Sequence, residues 1–163
     1  MTGSGKTTIG KELASRLNLN FLDMDDYIEN KAGLSIPEIF EKGEAVFRSL
    51  ETDACRELAD SRNSVISTGG GAVVTVENHP WLKKTGTVVW IDRPIDLIAS
   101  DIDTSHRPLL KNGLNTLHRL YKERQSLYAE LADLVVTNDQ PLEQTIQSLL
   151  EQLKTMDEKG EQS

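Results

Sequence analysis

The chain has 163 residues, 37% of them hydrophobic and 27% charged, with a formal net charge of -8. That is enough chain for one domain with a real core, and the acidic balance argues against a sequence-independent nucleic-acid binder. No apolar run approaches the ~20 residues of a membrane helix, nothing reads as a signal peptide, and a single cysteine, Cys55, excludes an internal disulfide.

In chain order, Gly3-Ser4-Gly5-Lys6-Thr7-Thr8 reads as the tail of a phosphate-binding loop. Lys6 to Leu17 carries Ile9, Leu13, Ala14 and Leu17 at helical spacing. Phe21-Leu22-Asp23 is a short strand, and a helical stretch follows through Tyr27 and Ile28. Ser35-Ile36-Pro37-Glu38 has the spacing of a capping box with proline early in the helix. Gly43 ends that helix, and Glu44 to Ala59 forms a longer one containing Cys55, which is expected only to pack. Ser64 to Ser67 is a buried-type strand closed by Gly69-Gly70-Gly71, and Thr87 to Ile91 is another strand. Pro94 to Ser100 starts a helix, Asp101 to Asn115 is polar and loop-like, and Thr116 to Ala132 is a long amphipathic helix. Leu134 to Thr137 is the last strand and Pro141 to Met156 the last helix, with a frayed tail over 156–163. His79, His106 and His118 have no partners at metal-ligand spacing.

Strands separated by helices predict parallel β-α units in a three-layer α/β/α sheet, one domain over 1–155 with a lid at about 100–115. In such sheets ligands bind beyond the carboxyl ends of the strands. Gly3–Thr8, Asp23–Asp25 and Gly69–Gly71 all fall there.

The full phosphate-loop pattern is G-x-x-x-x-G-K-[ST], with lysine on the β- and γ-phosphates and the next hydroxyl on Mg²⁺. Counted back from Gly5, its first glycine falls one place before Met1, and the strand that leads into such a loop is absent. Loss of that central strand is expected to leave an apolar slot and two rows of unpaired backbone groups, each costing about 1–3 kcal/mol when buried. The expectation is a sequence cut short, against the alternative of a degenerate, non-catalytic relative.

Asp23 and Asp25 stand at i and i+2 at a strand end, and period 2 points them to one side. One can hold the water shell of Mg²⁺ and the other can orient or deprotonate an acceptor hydroxyl; an acid-rich surface turn is the plain alternative. Three consecutive glycines let a ligand approach the backbone. Arg48 and Arg124, each alone, read as surface charge. Arg107, in the polar loop, is placed to come onto the transferring phosphate from a lid.

The ordered motifs GSGKTTIGKELASRL, FLDMDDYIE, GLSIPEIF, GEAVFRSLE, VISTGGGAVV, HRPLL and ERQSLY resemble shikimate kinase over nearly the whole chain. The resemblance implies a phosphate-loop kinase of the nucleoside-monophosphate-kinase type that transfers the γ-phosphate of ATP to the 3-hydroxyl of shikimate, toward chorismate and the aromatic amino acids. It implies Gly3, Ser4, Gly5, Lys6, Thr7 and Thr8 on ATP, with Thr7 and Asp23 serving Mg²⁺. It also implies Asp25 as the base on the acceptor, with Lys6 and Arg107 as its catalytic companions. Arg48 and Arg124 would clamp the substrate carboxylate, and the Gly69, Gly70 and Gly71 backbone would pack on the substrate. Where the family carries an adenine-stacking arginine, this chain reads Ile98-Ala99-Ser100-Asp101. Adenine contact is then expected from Arg107 and the Asn138–Pro141 loop, with Gln140 as the substitute. Another small-molecule kinase, such as a gluconate kinase, is the competing reading and would lack the set of Arg48, Arg124 and three glycines. The expected partner is a small molecule rather than nucleic acid or membrane, and the chain is expected to act as a monomer in the cytoplasm.

Overall fold

The structure is a computed structural model, and it describes residues 1, 3–101 and 113–160. The first helix, α1 (Lys6–Leu17), buries Ile9, Gly10, Leu13 and Ala14 along one face. It stops at Asn18, whose left-handed backbone (φ 55°) returns its N–H to the carbonyls of Ala14 and Ser15; asparagine tolerates that conformation better than most residues. Strand β1 (Asn20–Asp23) leads directly into α2 (Met24–Ala32). The Ser35/Glu38 capping box predicted from sequence opens α3 (Ile36–Glu41) with Pro37 in its first turn.

Helix α4 (Glu44–Leu58) precedes β2 (Ser64–Ser67), and the chain after the glycine run makes two 3₁₀ turns before the one-turn α5 (His79–Leu82). Those turns and α5 have no counterpart in the sequence reading, because pieces of three or four residues carry no periodicity to detect. Strand β3 (Val89–Asp92), α6 (Ile95–Asp101), α7 (Gly113–Leu131), β4 (Leu134–Thr137) and α8 (Leu142–Gly160) complete the described chain. The last helix runs past Met156 through Asp157–Gly160, where glutamate and lysine are good helix formers. Helix α7 begins at Gly113 rather than Thr116. Most of the expected lid, including Arg107, lies outside the described residues.

The strands pair in parallel as β1–β2, with Asn20 opposite Ser64 and Asp23 opposite Ser67, and as β3–β4, with Val89 opposite Leu134 and Asp92 opposite Thr137. Helices cover both faces, as the three-layer expectation requires. One core joins Met24, Ile28, Ile39, Phe47 and Leu58, with Leu22 and Ile66 packed on it. Another joins Ile9, Leu13, Ile91, Val136, Ile146 and Leu149, with Val65 and Val89 packed on it. A third collects Met1, Ile98, Leu117 and Tyr128 around Trp90. Alternate strand residues thus serve opposite layers. Among the described residues no strand bridges β2 and β3, and a cavity of about 560 Å³ lies between them.

Cys55 packs in the first core with its Sγ 3.7 Å from Met24 Sδ, and burial pushes its thiol up to about 12. A thiol held protonated in this way is a poor nucleophile. Thiol reagents should therefore leave the folded chain unmodified, and Cys55→Ser should cost about 1–3 kcal/mol in urea unfolding through its buried hydroxyl.

Candidate active site

The carboxyl ends of all four strands converge on the loop before α1. Asp23 closes β1, and Ser67 closes β2 and leads through Thr68 into the glycine run. Just past β3, Arg93 Nη1 donates to the Gly3 carbonyl at 3.4 Å. Just past β4, Asn138 Nδ2 donates to the Ser4 carbonyl at 2.9 Å. Gly5, which caps α1 with φ at 92°, has no room for a side chain: a Cβ there would meet Asn138 Nδ2 at 2.6 Å. The left-handed backbone and the close neighbour both demand glycine.

A cavity of about 270 Å³ opens at this convergence, lined by Gly3, Gly5, Lys6, Thr7, Thr8, Asp23, Asp25, Ser67, Thr68, Gly69 and Gly70. The loop, the acidic pair and the glycine run thus share one hollow. Gly5 has no side-chain cap on the first turn of α1, and uncapped N–H groups at a helix start suit an anion. Lys6 Nζ donates to the Met1 carbonyl at 2.6 Å. Ser4 belongs to the loop, but its hydroxyl turns inward and donates to the Met1 carbonyl at 2.9 Å.

Thr7 Oγ1 donates to Asp23 Oδ2 at 3.0 Å, while Asp23 Oδ1 accepts the Asp25 backbone N–H at 3.0 Å. Strand periodicity does not align the two carboxylates, as the sequence reading assumed. Asp23 is the N-cap of α2 and Asp25 lies in its first turn, so helix capping sets their relation. Burial raises the Asp25 carboxyl above its ordinary value, the Asp23 charge adds to this, and Lys6 opposes it.

Two arginines, two carboxylates and a tyrosine gather around the glycine run. Arg48 Nη1 binds Glu51 Oε2 at 2.7 Å, and its Nη2 binds Glu44 Oε1 at 3.0 Å. Arg124 Nη1 and Tyr128 Oη donate to the Gly70 carbonyl at 3.2 and 2.5 Å. A Cβ on Gly69 would lie 3.1 Å from Glu51 Oε1 and 3.2 Å from Asp25 Oδ1, and one on Gly71 would collide with Arg48 Nη1. The glycines therefore let two arginines and two carboxylates close around a bare backbone. Gly69→Ala would force Glu51 or Asp25 to give way by a few tenths of an ångström.

Three comparisons with known proteins bear on this geometry. The family model described as Shikimate kinase matches residues 2–154. A shikimate kinase of Clostridium beijerinckii is 44% identical over 151 residues, 93% of this chain and 89% of that protein. One from Aquifex aeolicus is 41% identical over 149 residues, 90% of this chain and 88% of that one. The solved structure titled as shikimate kinase from Acinetobacter baumannii in complex with shikimate superposes with a TM-score of 0.89 at 39% identity, covering 94% of this chain and 88% of that one.

The chain belongs to the shikimate kinase family.

Its fold is accordingly the phosphate-loop α/β/α fold expected from the alternating elements. Against the shikimate kinase pattern, Gln140 is exposed and outside the cavity; the residue of that segment that reaches the loop is Asn138, because it follows β4 directly. Arg107 lies outside the described residues. Sequence reading passed over Glu51, 1% exposed and raised by burial against the pull of Arg48. Its position three residues after Arg48 on a helix was the available signal. It also passed over Arg93, which pairs with Asp101 and whose Nε has no partner among the described residues.

Proposed function

We propose that the chain transfers the γ-phosphoryl group of ATP to the 3-hydroxyl of shikimate. The observation that carries this reading is the single hollow holding Lys6, Thr7, Asp23, Asp25 and the Gly69–Gly70 backbone. Phosphoryl transfer needs positioning and charge stabilisation more than covalent chemistry, and these residue types supply both. The N–H groups from Gly3 to Thr8 cradle the phosphates, and Lys6 supplies charge to them.

The hydrogen-bonded pair of Thr7 hydroxyl and Asp23 carboxylate fits a magnesium ion bound chiefly by phosphate and water. Such an ion, when bound, neutralises charge on the triphosphate. Among the described residues no group of three His, Cys, Asp or Glu could hold a metal alone.

Asp25 takes the proton of the acceptor hydroxyl while that oxygen attacks the γ-phosphorus and the bond to the β–γ bridging oxygen breaks, releasing ADP. A carboxyl raised by burial is a better proton acceptor than a solvated one. Arg48 and Arg124 grip the planar carboxylate of shikimate, a geometry that guanidinium matches. The reading keeps Arg107, which lies outside the described residues, for the transferring group. The reading takes the chain as a cytoplasmic monomer; among the described residues no helix is long and apolar enough to cross a membrane.

The test is product analysis by ³¹P NMR after incubation with ATP, Mg²⁺ and shikimate. A new phosphoester coupled to the proton on carbon 3 is expected; phosphorylation of gluconate but not shikimate would reject the assignment. Arg124→Ala should raise the KM for shikimate by about 10- to 100-fold, the loss of one charge-assisted pair, with the KM for ATP held within about threefold.

A further inference from the structure

The loop before α1 alternates its backbone hand. Gly3 and Gly5 take positive φ, 77° and 92°, on either side of Ser4, which does not. Such alternation turns successive N–H groups to one side and makes a concavity for anions. A carbonyl oxygen turned the same way would repel a phosphate, so the carbonyls of the turn have to be held on the far side. Two of them are taken by side chains from beyond the strands. Arg93 Nη1 donates to the Gly3 carbonyl at 3.4 Å, and Asn138 Nδ2 donates to the Ser4 carbonyl at 2.9 Å. Neither Arg93 nor Asn138 is among the residues lining the cavity of about 270 Å³ at the loop. They reach the turn from behind.

Both donors are themselves held. The Asn138 backbone N–H donates to the Asp92 carbonyl at 2.7 Å, which ties the residue to the end of β3. Its Oδ1 accepts from the hydroxyl of Thr145, 2% exposed on α8, at 3.5 Å. That contact leaves the Nδ2 end of the amide for Ser4. The amide packs directly on the turn, since a Cβ on Gly5 would meet Nδ2 at 2.6 Å. Arg93 gives its other terminal nitrogen to Asp101, at the end of α6. Its charge is therefore matched, and what it offers the loop is a fixed donor rather than attraction at a distance.

We propose that Arg93 and Asn138 are positioning residues for the nucleotide. Together they brace the phosphate loop from behind, keeping the Gly3 and Ser4 carbonyls off the phosphates so that the N–H groups stay aimed at them. They act through the loop and touch neither ATP nor the acceptor. The inference rests on the reading of this loop as the phosphate cradle.

The test is calorimetric binding of ATP with Mg²⁺, of inorganic tripolyphosphate with Mg²⁺, and of shikimate to the full chain. The variants are Asn138→Ala, the charge-conserving pair Arg93→Ala/Asp101→Ala, and all three changes together, with Arg93→Lys as the conservative variant. The Kd of ATP and of tripolyphosphate should rise together, about fivefold for each side of the brace and about 20-fold for both, the worth of one and of two hydrogen bonds. The Kd of shikimate should stay within about twofold, and Arg93→Lys, which keeps a cationic donor for Gly3, should hold ATP within about twofold of the parent. Unchanged ATP affinity in the triple variant would overturn the proposal. An equal loss for shikimate would also overturn it, since the two residues would then serve the fold at large. So would a loss for ATP that spares tripolyphosphate, which would place them on the nucleoside. A parent that binds neither ATP nor tripolyphosphate would reject the phosphate cradle itself, and the brace with it. If Asn138→Ala fails to fold, the partly exposed Arg93/Asp101 pair decides alone by the same readings.

Discussion

Asp25→Asn is expected to lower kcat by roughly 100- to 10,000-fold, the usual worth of a positioned general base, while the KM of ATP stays within about threefold. Asp25 lines the cavity from the first turn of α2, outside the phosphate loop, so its loss leaves the cradle residues in place. The same substitution should stabilise the protein at neutral pH. The Asp25 carboxyl holds its proton more tightly in the folded chain than in the unfolded one. Its contribution to stability is therefore full below the ordinary aspartate value of 3.8 and is lost as pH rises through the raised folded value. At neutral pH the fold carries a buried charge that asparagine does not. The variant should melt higher than the parent at pH 7, and the gap should close below pH 3.8. The parent's kcat/KM should fall on its acid limb at a pH above that ordinary value. A variant that keeps most of its kcat would remove Asp25 from the chemistry.

Arg48→Ala is expected to damage both substrate binding and folding. Glu51 is 1% exposed, and its one hydrogen-bonded oxygen is held by Arg48 at 2.7 Å; Oε1 has no partner among the described residues. Removing the guanidinium leaves an uncompensated buried charge, a loss of about 3–5 kcal/mol. Burial already raises the Glu51 carboxyl, so the penalty shrinks as acidic pH supplies a proton. The double variant Arg48→Ala/Glu51→Gln should regain most of the stability, since no charge is then stranded. It should not regain affinity for shikimate, whose KM should stay at least about tenfold above the parent. Urea unfolding and steady-state kinetics separate the two effects. Recovery of both together would mean that Arg48 serves the fold alone.

Much of the frame was legible because periodicity and punctuation agree. The Ser35/Glu38 box, β2 at Ser64–Ser67 and β4 at Leu134–Thr137 stand where the residues placed them. Local sequence carried less of the site. Asp23 and Asp25 were singled out, but through strand alternation, whereas the structure relates them through an N-cap. Glu51 escaped because a glutamate on a charged helix reads as solvated surface, and only the packing of α4 behind the glycine run buries it. The Asn138 segment was singled out for adenine, but its bond to the loop before α1 was not, because that depends on where β4 ends relative to the loop, a long-range relation. The separation into two two-stranded sheets and the buried setting of Met1 needed coordinates.

Shikimate-dependent ADP release by the 163-residue chain at saturating ATP and Mg²⁺ tests the account most directly. Turnover that requires shikimate and collapses in Asp25→Asn is the predicted result. Saturable binding of ATP and shikimate with ADP release no faster than without acceptor would contradict it.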